Sequence, residues 1–199
     1  MKLNSNDYYL LSLGCSKNTV DSESMAALLN RDGYQGVGRP EEAAILIVNT
    51  CGFIASARDE SIAALRELAK AKGPNQMLIA AGCLSQRVGP ELAREVPGLD
   101  GVIGTRRWMD IVPFIKQLRE RQHPEPLYHL PENAKTVGMD EQGVLRVAVQ
   151  GASAYLKISD GCRRPCSFCA IPQIKGTLVS RPLETIIAEA IRLEKAGIL

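Results

Sequence analysis

The sequence contains no long hydrophobic run and no export signal. None of its apolar stretches approaches the roughly 18 consecutive residues that a membrane-spanning helix requires. Residues 1–7 are mostly polar and lack the basic and then apolar pattern of a secretory signal peptide. These two absences favour a cytoplasmic protein with no membrane association.

The chain also lacks an excess of charge of either sign. Lysine and arginine together number 24 against 22 aspartates and glutamates, which gives a formal net charge of +2. This balance gives no electrostatic indication of RNA or DNA binding. Aromatic residues are scarce at 5%, but 45% of the 199 residues are apolar. That fraction excludes wholesale disorder and allows one α/β domain and part of a second.

Apolar strands alternate with amphipathic helices along the first part of the chain. Strands that are apolar throughout and alternate with helices are typical of a parallel sheet covered on both faces. The sequence therefore predicts an α/β fold whose first domain occupies residues 1–121. Its strands are predicted at residues 8–13, 43–48, 77–81 and 101–104.

Helix signals follow these strands. In the first helix, Asp21 and Glu23 are expected to be acids of the first turn, and Gly33 is expected to end the helix. A shorter helix over residues 85–95 is predicted to be interrupted at Gly89, which precedes a proline.

Residues 122–150 are predicted to be a linker and an approach strand. The segment 122–136 contains three prolines and no apolar periodicity, and a strand is predicted at 144–149. Both histidines of the chain, His123 and His129, fall in this region. They are interpreted as solvated loop residues rather than as metal ligands.

Residues 151–199 are predicted to begin a second domain. A strand is predicted at 155–159, and a last helix is expected to end at Gly197. The apolar face of that helix is formed by Thr185, Ile186, Ala190 and Leu193.

Three of the six cysteines occupy equivalent positions. Cys15, Cys51 and Cys83 each come just after a predicted strand and beside a glycine. Because the carboxyl ends of parallel strands lie at one edge of a sheet, we expect their thiols to converge there. A reducing compartment disfavours disulfides. The open alternatives are an iron–sulfur cluster with one free iron, a zinc site with an exchangeable position, or simple burial of each cysteine.

The other three cysteines are clustered. Cys162, Cys166 and Cys169 have the spacing C-x3-C-x2-C directly after a predicted strand. Such a loop wraps three thiolates around one metal cluster, whereas zinc ribbons usually pair two C-x2-C knuckles, and no second knuckle is present. With Phe168 before the third cysteine, the pattern favours an iron–sulfur cluster over structural zinc.

The pattern C-x3-C-x-aromatic-C resembles the signature of radical S-adenosylmethionine enzymes. Residues 12–23 read SLGCSKNTVDSE, residues 48–54 read VNTCGFI, and residues 82–84 read GCL. Residues 169–172 read CAIP, and residues 180–182 read SRP. Together these motifs resemble the methylthiotransferase family, of the RimO type that modifies an aspartate in small-subunit ribosomal protein twelve. The resemblance extends from about residue 8 to the last residue and is weakest between 122 and 150.

The resemblance implies two 4Fe–4S clusters, with S-adenosylmethionine as a further cofactor. The cluster that binds S-adenosylmethionine would be held by Cys162, Cys166 and Cys169, with Phe168 as a further candidate contact. The second, auxiliary cluster would be held by Cys15, Cys51 and Cys83. No catalytic side chain is implied beyond these ligands. The implied partners are the ribosomal protein substrate and an electron donor of the flavodoxin or ferredoxin type.

A sister type, MiaB, modifies an adenosine of transfer RNA and typically shows Gly-Cys-Gln-Met-Asn at its first cysteine. This chain has Gly-Cys-Ser-Lys-Asn over residues 14–18, which favours the type that modifies a protein. The MiaB type stays open as an alternative.

Family members are longer than this chain. The resemblance implies that residues 151–199 contain only the first βα unit of a TIM-like radical-enzyme barrel. We therefore predict a fragment that is inactive alone or depends on a partner chain. The rival hypotheses are a non-catalytic iron–sulfur or sulfur-carrier domain and a zinc-stabilised α/β module.

Overall fold

The computed structural model describes residues 3–121, 125–131 and 142–198. Its main feature is a sheet of six strands in the order β2-β1-β3-β4-β5-β6, in which every neighbouring pair is parallel. The predicted α/β class and parallel sheet are therefore confirmed. The strands are β1 (Asp7–Ser12), β2 (Gln35–Gly36), β3 (Ile45–Thr50), β4 (Met77–Gly82), β5 (Gly101–Gly104) and β6 (Leu127–His129).

Helices cover both faces of this sheet. One apolar core joins Ile45 and Ile47 of β3 to the first and fourth helices, and the other joins Leu46 and Val48 to the second and third. This alternation follows from the pleat, because successive side chains of a strand point to opposite faces. The helices are α1 (Ser16–Arg31), α2 (Ala55–Ala71), α3 (Cys83–Glu95) and α4 (Ile111–Glu120), with short 3₁₀ helices at Pro40–Glu42 and Thr105–Asp110.

Two details of the helix predictions have different outcomes. The expected interruption of α3 is confirmed, since Gly89 leaves helical geometry (φ 17°, ψ −95°) just before Pro90. The placement of Asp21 and Glu23 in the first turn of α1 is wrong. The helix already begins at Ser16, so both acids lie beyond its first turn.

The segment predicted as a linker contributes a strand to the sheet. Residues 127–129 form β6, which pairs with β5 in parallel at the edge of the sheet. His129 therefore lies in a strand rather than in a loop, and its Nε2 lies 2.7 Å from Oδ2 of Asp110. His123 lies outside the described residues.

Residues 142–198 form two antiparallel strand pairs and two helices. The strands β7 (Val147–Gln150) and β8 (Ser153–Leu156) pair with each other, as do β9 (Ser159–Asp160) and β10 (Val179–Ser180). Between β9 and β10 lies the short helix α5 (Ile171–Lys175), and α6 (Leu183–Lys195) is the predicted last helix. The predicted strand at 155–159 thus covers the end of β8 and the start of β9.

Within the described ranges, no helix combines the length and the apolar character needed to cross a membrane.

Truncation of a core side chain of the sheet should destabilise the fold. Leu78 of β4 is fully buried in the second apolar core. We expect Leu78→Ala to lower the free energy of unfolding by about 2–5 kcal/mol, because it leaves a cavity. Leu183→Ala, at a position that is 65% exposed, is the control and should change it by less than about 0.5 kcal/mol. Equal effects in urea denaturation would contradict this assignment of the core.

Candidate functional site

The three dispersed cysteines lie at one edge of the sheet. Cys15, Cys51 and Cys83 follow β1, β3 and β4, which are neighbouring parallel strands. Because β2 lies on the other side of β1, the strand order reverses between β1 and β3. Clefts for ligands form at such switch points, outside the carboxyl ends of the strands. We call these three side chains the strand-end thiols.

The strand-end thiols differ in exposure but are close enough to interact. Cys51 and Cys83 are buried and Cys15 is exposed. Burial raises the pKa of the Cys83 thiol, and the charge of the nearby Lys175 opposes that rise. Cys51 and Cys15 also act electrostatically on Cys83. The three groups therefore share one environment.

Gly14 allows the chain to pass closely over Cys51. Its φ is +92°, and a Cβ at this position would lie 2.8 Å from Sγ of Cys51. Any other residue would be strained here and would occupy space beside the thiol. The glycine before Cys15 thus lets this part of the chain lie directly against Cys51.

Asn18 connects the ends of two strands to the third cysteine. Its Nδ2 donates to the carbonyl oxygens of Leu13, at 2.8 Å, and Thr50, at 2.9 Å. Its Oδ1 lies 3.6 Å from Sγ of Cys83. Asn18 belongs to the motif Gly-Cys-Ser-Lys-Asn, but no role for its side chain was predicted from the sequence. A polar residue on the buried side of a helix, three positions after Cys15, was the available signal.

Asp21 is the centre of a buried group of charges. Its carboxylate accepts hydrogen bonds from Nζ of Lys157 at 2.7 Å, from Nζ of Lys175 at 2.8 Å and from the Arg146 guanidinium. A second carboxylate, Asp160, lies 2.8 Å from Nζ of Lys157. We call these five side chains the charge cluster; all are buried.

The ionisation of Asp21 depends on its three cations. Burial by itself raises the pKa of Asp21, but the charges of Lys157, Lys175 and Arg146 outweigh burial and hold the pKa well below its usual range. Burial likewise lowers the pKa of Lys175, and the carboxylates of Asp160 and Asp21 reverse that effect and raise it. Both groups are therefore charged at neutral pH.

The clustered cysteines lie in the loop between β9 and α5. The amide of Cys162 donates to the Gly176 carbonyl at 3.1 Å, and the amide of Cys169 donates to the Cys166 carbonyl at 3.1 Å. Gly161 has φ +79°, and a Cβ there would collide with the Thr177 carbonyl oxygen. Glycine is therefore required where the chain enters this loop.

The end of this loop and the following helix pack against Cys83, one of the strand-end thiols. Cys83, Ala170 and Ile174 form one buried apolar group. Arg106, which follows β5, donates to the Ile174 carbonyl at 3.0 Å and to the Gln173 carbonyl at 2.6 Å. The loop that carries Cys162, Cys166 and Cys169 is thereby held at the same edge of the sheet as the other three cysteines.

Phe168 and the metal-ligating side chains were also predicted to take part in cofactor binding. Phe168 is 88% exposed. Among the described residues, no three histidine, cysteine, aspartate or glutamate side chains are arranged to hold a metal ion.

Known proteins resemble this chain along almost all of its length. Residues 7–104 match a family described as Uncharacterized protein family UPF0004. The ribosomal protein uS12 methylthiotransferase RimO of Chloroflexus aurantiacus is 43% identical over 201 residues, which cover 96% of this chain and 44% of that protein. RimO of Syntrophomonas wolfei is 44% identical over 190 residues, which cover 94% of this chain and 42% of that protein. The chain is thus similar to RimO proteins along almost all of its own length.

The RimO resemblance indicated by the cysteine motifs is thus confirmed. A third relative, RimO of Symbiobacterium thermophilum, is 42% identical over 190 residues, which cover 38% of its length. The chain therefore spans 38–44% of the length of these three curated RimO relatives.

Removal of the Asn18 amide should loosen the strand ends. We expect Asn18→Ala to lower the free energy of unfolding by about 1–3 kcal/mol, because buried carbonyls lose their donor. Asn18→Asp should destabilise at least as much, since a carboxylate cannot donate to those carbonyls. The control is Lys17→Ala, at an exposed neighbouring position. Urea denaturation in which all three variants match the wild type would contradict the role of Asn18.

The charge of Asp21 should make the free energy of unfolding depend on pH. At pH 7, Asp21→Asn should lower the free energy of unfolding by about 3–5 kcal/mol, because three buried cations lose their partner. The pKa of Asp21 is lower in the folded than in the unfolded chain. Its contribution is therefore present above pH of about 4 and is lost as the pH falls below that value.

The test is urea denaturation of both proteins between pH 7 and acid pH. The difference in unfolding free energy between wild type and Asp21→Asn should shrink as the pH falls below about 4. Asp59→Asn, at an exposed position, is the matched control and should show no such convergence. A difference that stays constant with pH would show that the Asp21 carboxylate is not the group responsible.

Proposed function

We propose that this chain is the cysteine-bearing part of a methylthiotransferase that adds a methylthio group to the β-carbon of an aspartate in ribosomal protein uS12. One observation carries the proposal: the segment that follows the cysteine loop packs, through Ala170 and Ile174, against Cys83 at the strand ends, in a chain that resembles RimO. Each group of three cysteines offers three thiolates and so leaves one position of a metal cluster open for a further ligand.

The strand-end thiols fit an auxiliary 4Fe–4S cluster in their chemistry and surroundings. Thiolates are the usual ligands of such clusters. Cys15 caps α1 and Cys83 begins α3, so both thiols lie where a helix N-terminus favours negative charge. A cluster of several irons joins thiolates that stand farther apart than the ligands of a single ion. Cys15, Cys51 and Cys83 would hold this cluster.

Cys162, Cys166 and Cys169 would hold the second cluster, with Phe168 available as a contact for the bound cofactor. When present, this cluster and S-adenosylmethionine supply the radical chemistry that breaks an unactivated C–H bond, for which no amino-acid side chain is suited. The chain's own residues provide ligands and position. Gly161 lets the loop turn, and Arg106 holds its far end through two carbonyls.

The substrate assignment rests on the relatives. Those described above are all named as acting on ribosomal protein uS12, which favours that protein over the transfer RNA substrate of the MiaB type. A cytoplasmic location and an electron donor of the flavodoxin or ferredoxin type belong to the same proposal. Because the chain spans 38–44% of these relatives, we expect turnover to require residues beyond these 199.

Iron analysis tests the two sites separately. After anaerobic reconstitution with iron and sulfide, the chain should carry about eight irons, as two 4Fe–4S clusters require. The triple variant Cys162→Ala, Cys166→Ala, Cys169→Ala should carry about four, and so should the variant Cys15→Ala, Cys51→Ala, Cys83→Ala. Each variant is the matched control of the other. Zinc without acid-labile sulfide in the protein as isolated would refute the proposal and favour a zinc-stabilised module.

A further inference from the structure

The charge cluster is unequal in sign. Among the described residues, its three cationic side chains meet two carboxylates; the cations are Arg146, Lys157 and Lys175, and the carboxylates are Asp21 and Asp160. A fourth buried cation does not change this balance, because Arg181 lies 2.7 Å from Glu189 and forms its own ion pair. Buried charges are normally paired, so a surplus cation points to an anion nearby.

Lys175 lies on the side of the charge cluster that faces the strand-end thiols. It belongs to α5, and the preceding residue, Ile174, packs with Cys83 in one buried group. Its Nζ lies 2.8 Å from Oδ2 of Asp21 and donates to Oγ1 of Thr105 at 2.6 Å. Lys175 and Cys83 also interact electrostatically.

Lys157 provides a natural comparison. Its Nζ lies 2.7 Å from Oδ1 of Asp21, so the two lysines bind opposite oxygens of one carboxylate. Both are buried, and each donates to Asp21. The main electrostatic partners of Lys157 are Asp21, Lys175, Asp160 and Arg146, whereas those of Lys175 include Cys83. The two lysines therefore share one carboxylate but differ in their electrostatic relation to Cys83.

We propose that Lys175 is a positioning residue for the auxiliary cluster: its buried ammonium group, supplied by α5 and fixed by Asp21 and Thr105, offsets the negative charge of a cluster held by the strand-end thiols and raises its reduction potential. The inference rests on the proposed function, since it takes those thiols as cluster ligands. Reduction adds one negative charge to a cluster, and a fixed cation nearby stabilises that reduced state. Outer groups of this kind are known to tune metal sites.

The experiment measures the midpoint potential of the auxiliary cluster alone. The full chain carrying Cys162→Ala, Cys166→Ala and Cys169→Ala is reconstituted with iron and sulfide and titrated with dithionite, with electron paramagnetic resonance as the readout. In this background, Lys175→Gln keeps a hydrogen-bond donor but removes the charge. We expect the potential to become more negative, and Lys175→Arg, which keeps the charge, to restore most of the change.

Lys157→Gln is the matched control. It removes an ammonium group from the same carboxylate, and Cys83 is not among the main electrostatic partners of Lys157. It should therefore shift the potential less than Lys175→Gln does. A shift as large as that of Lys175→Gln would overturn the specific role of Lys175. No shift in Lys175→Gln would overturn it as well.

A variant that should shift the potential in the opposite direction keeps the inference testable if Lys175→Gln fails to bind a cluster. Asp160 lies 3.8 Å from Nζ of Lys175, and Asp160→Asn increases the surplus of positive charge. The potential should then become more positive, a change that general loosening of the site does not predict. An unchanged or more negative potential would overturn the inference. Failure of the parent triple variant itself to bind iron and sulfide would instead overturn the proposed function.

Discussion

The carboxylate of Asp21 accepts hydrogen bonds from three cations that belong to three different parts of residues 142–198. Arg146 precedes β7, Lys157 follows β8, and Lys175 ends α5. Each of these groups would be costly to bury without a partner. The arrangement of the second segment on α1 therefore depends strongly on this acid. The loop with Cys162 lies in sequence between two of the three cations, so Asp21 helps to hold both of its ends.

Charge and packing act together at this contact. The guanidinium carbon of Arg146 lies 4.1 Å from the ring centre of Trp108, so one cation binds both Asp21 and an aromatic face. Ala170 and Ile174 contribute apolar contacts with Cys83. The buried ion pairs fix the orientation of residues 142–198 on α1, because hydrogen bonds to one carboxylate allow few alternative geometries. The apolar contacts help to bury the Cys83 thiol.

The strands of the sheet, and the edge at which the cysteines lie, could be predicted from the sequence. The side-chain contacts around the cysteines could not. Runs such as residues 43–48, apolar throughout and followed by a cysteine, predict both a buried strand and the edge at which it ends. Asp21 and Lys175 are 154 positions apart, and no local pattern relates them, so Asp21 was assigned to a helix start. The strand β6 was missed because three residues among prolines carry too little periodicity.

The buried side of α1 is polar near the thiols and apolar farther along the helix. Asn18 and Asp21 face polar partners near the thiols, whereas Met25 and Leu29, farther along the same side, lie in the apolar core. Each residue turns an α-helix by about 100°. A single insertion or deletion between Cys15 and Asn18 would rotate all four side chains away from their partners at once. Length is therefore as tightly constrained as composition in this helix, and variation here is restricted to its outer face.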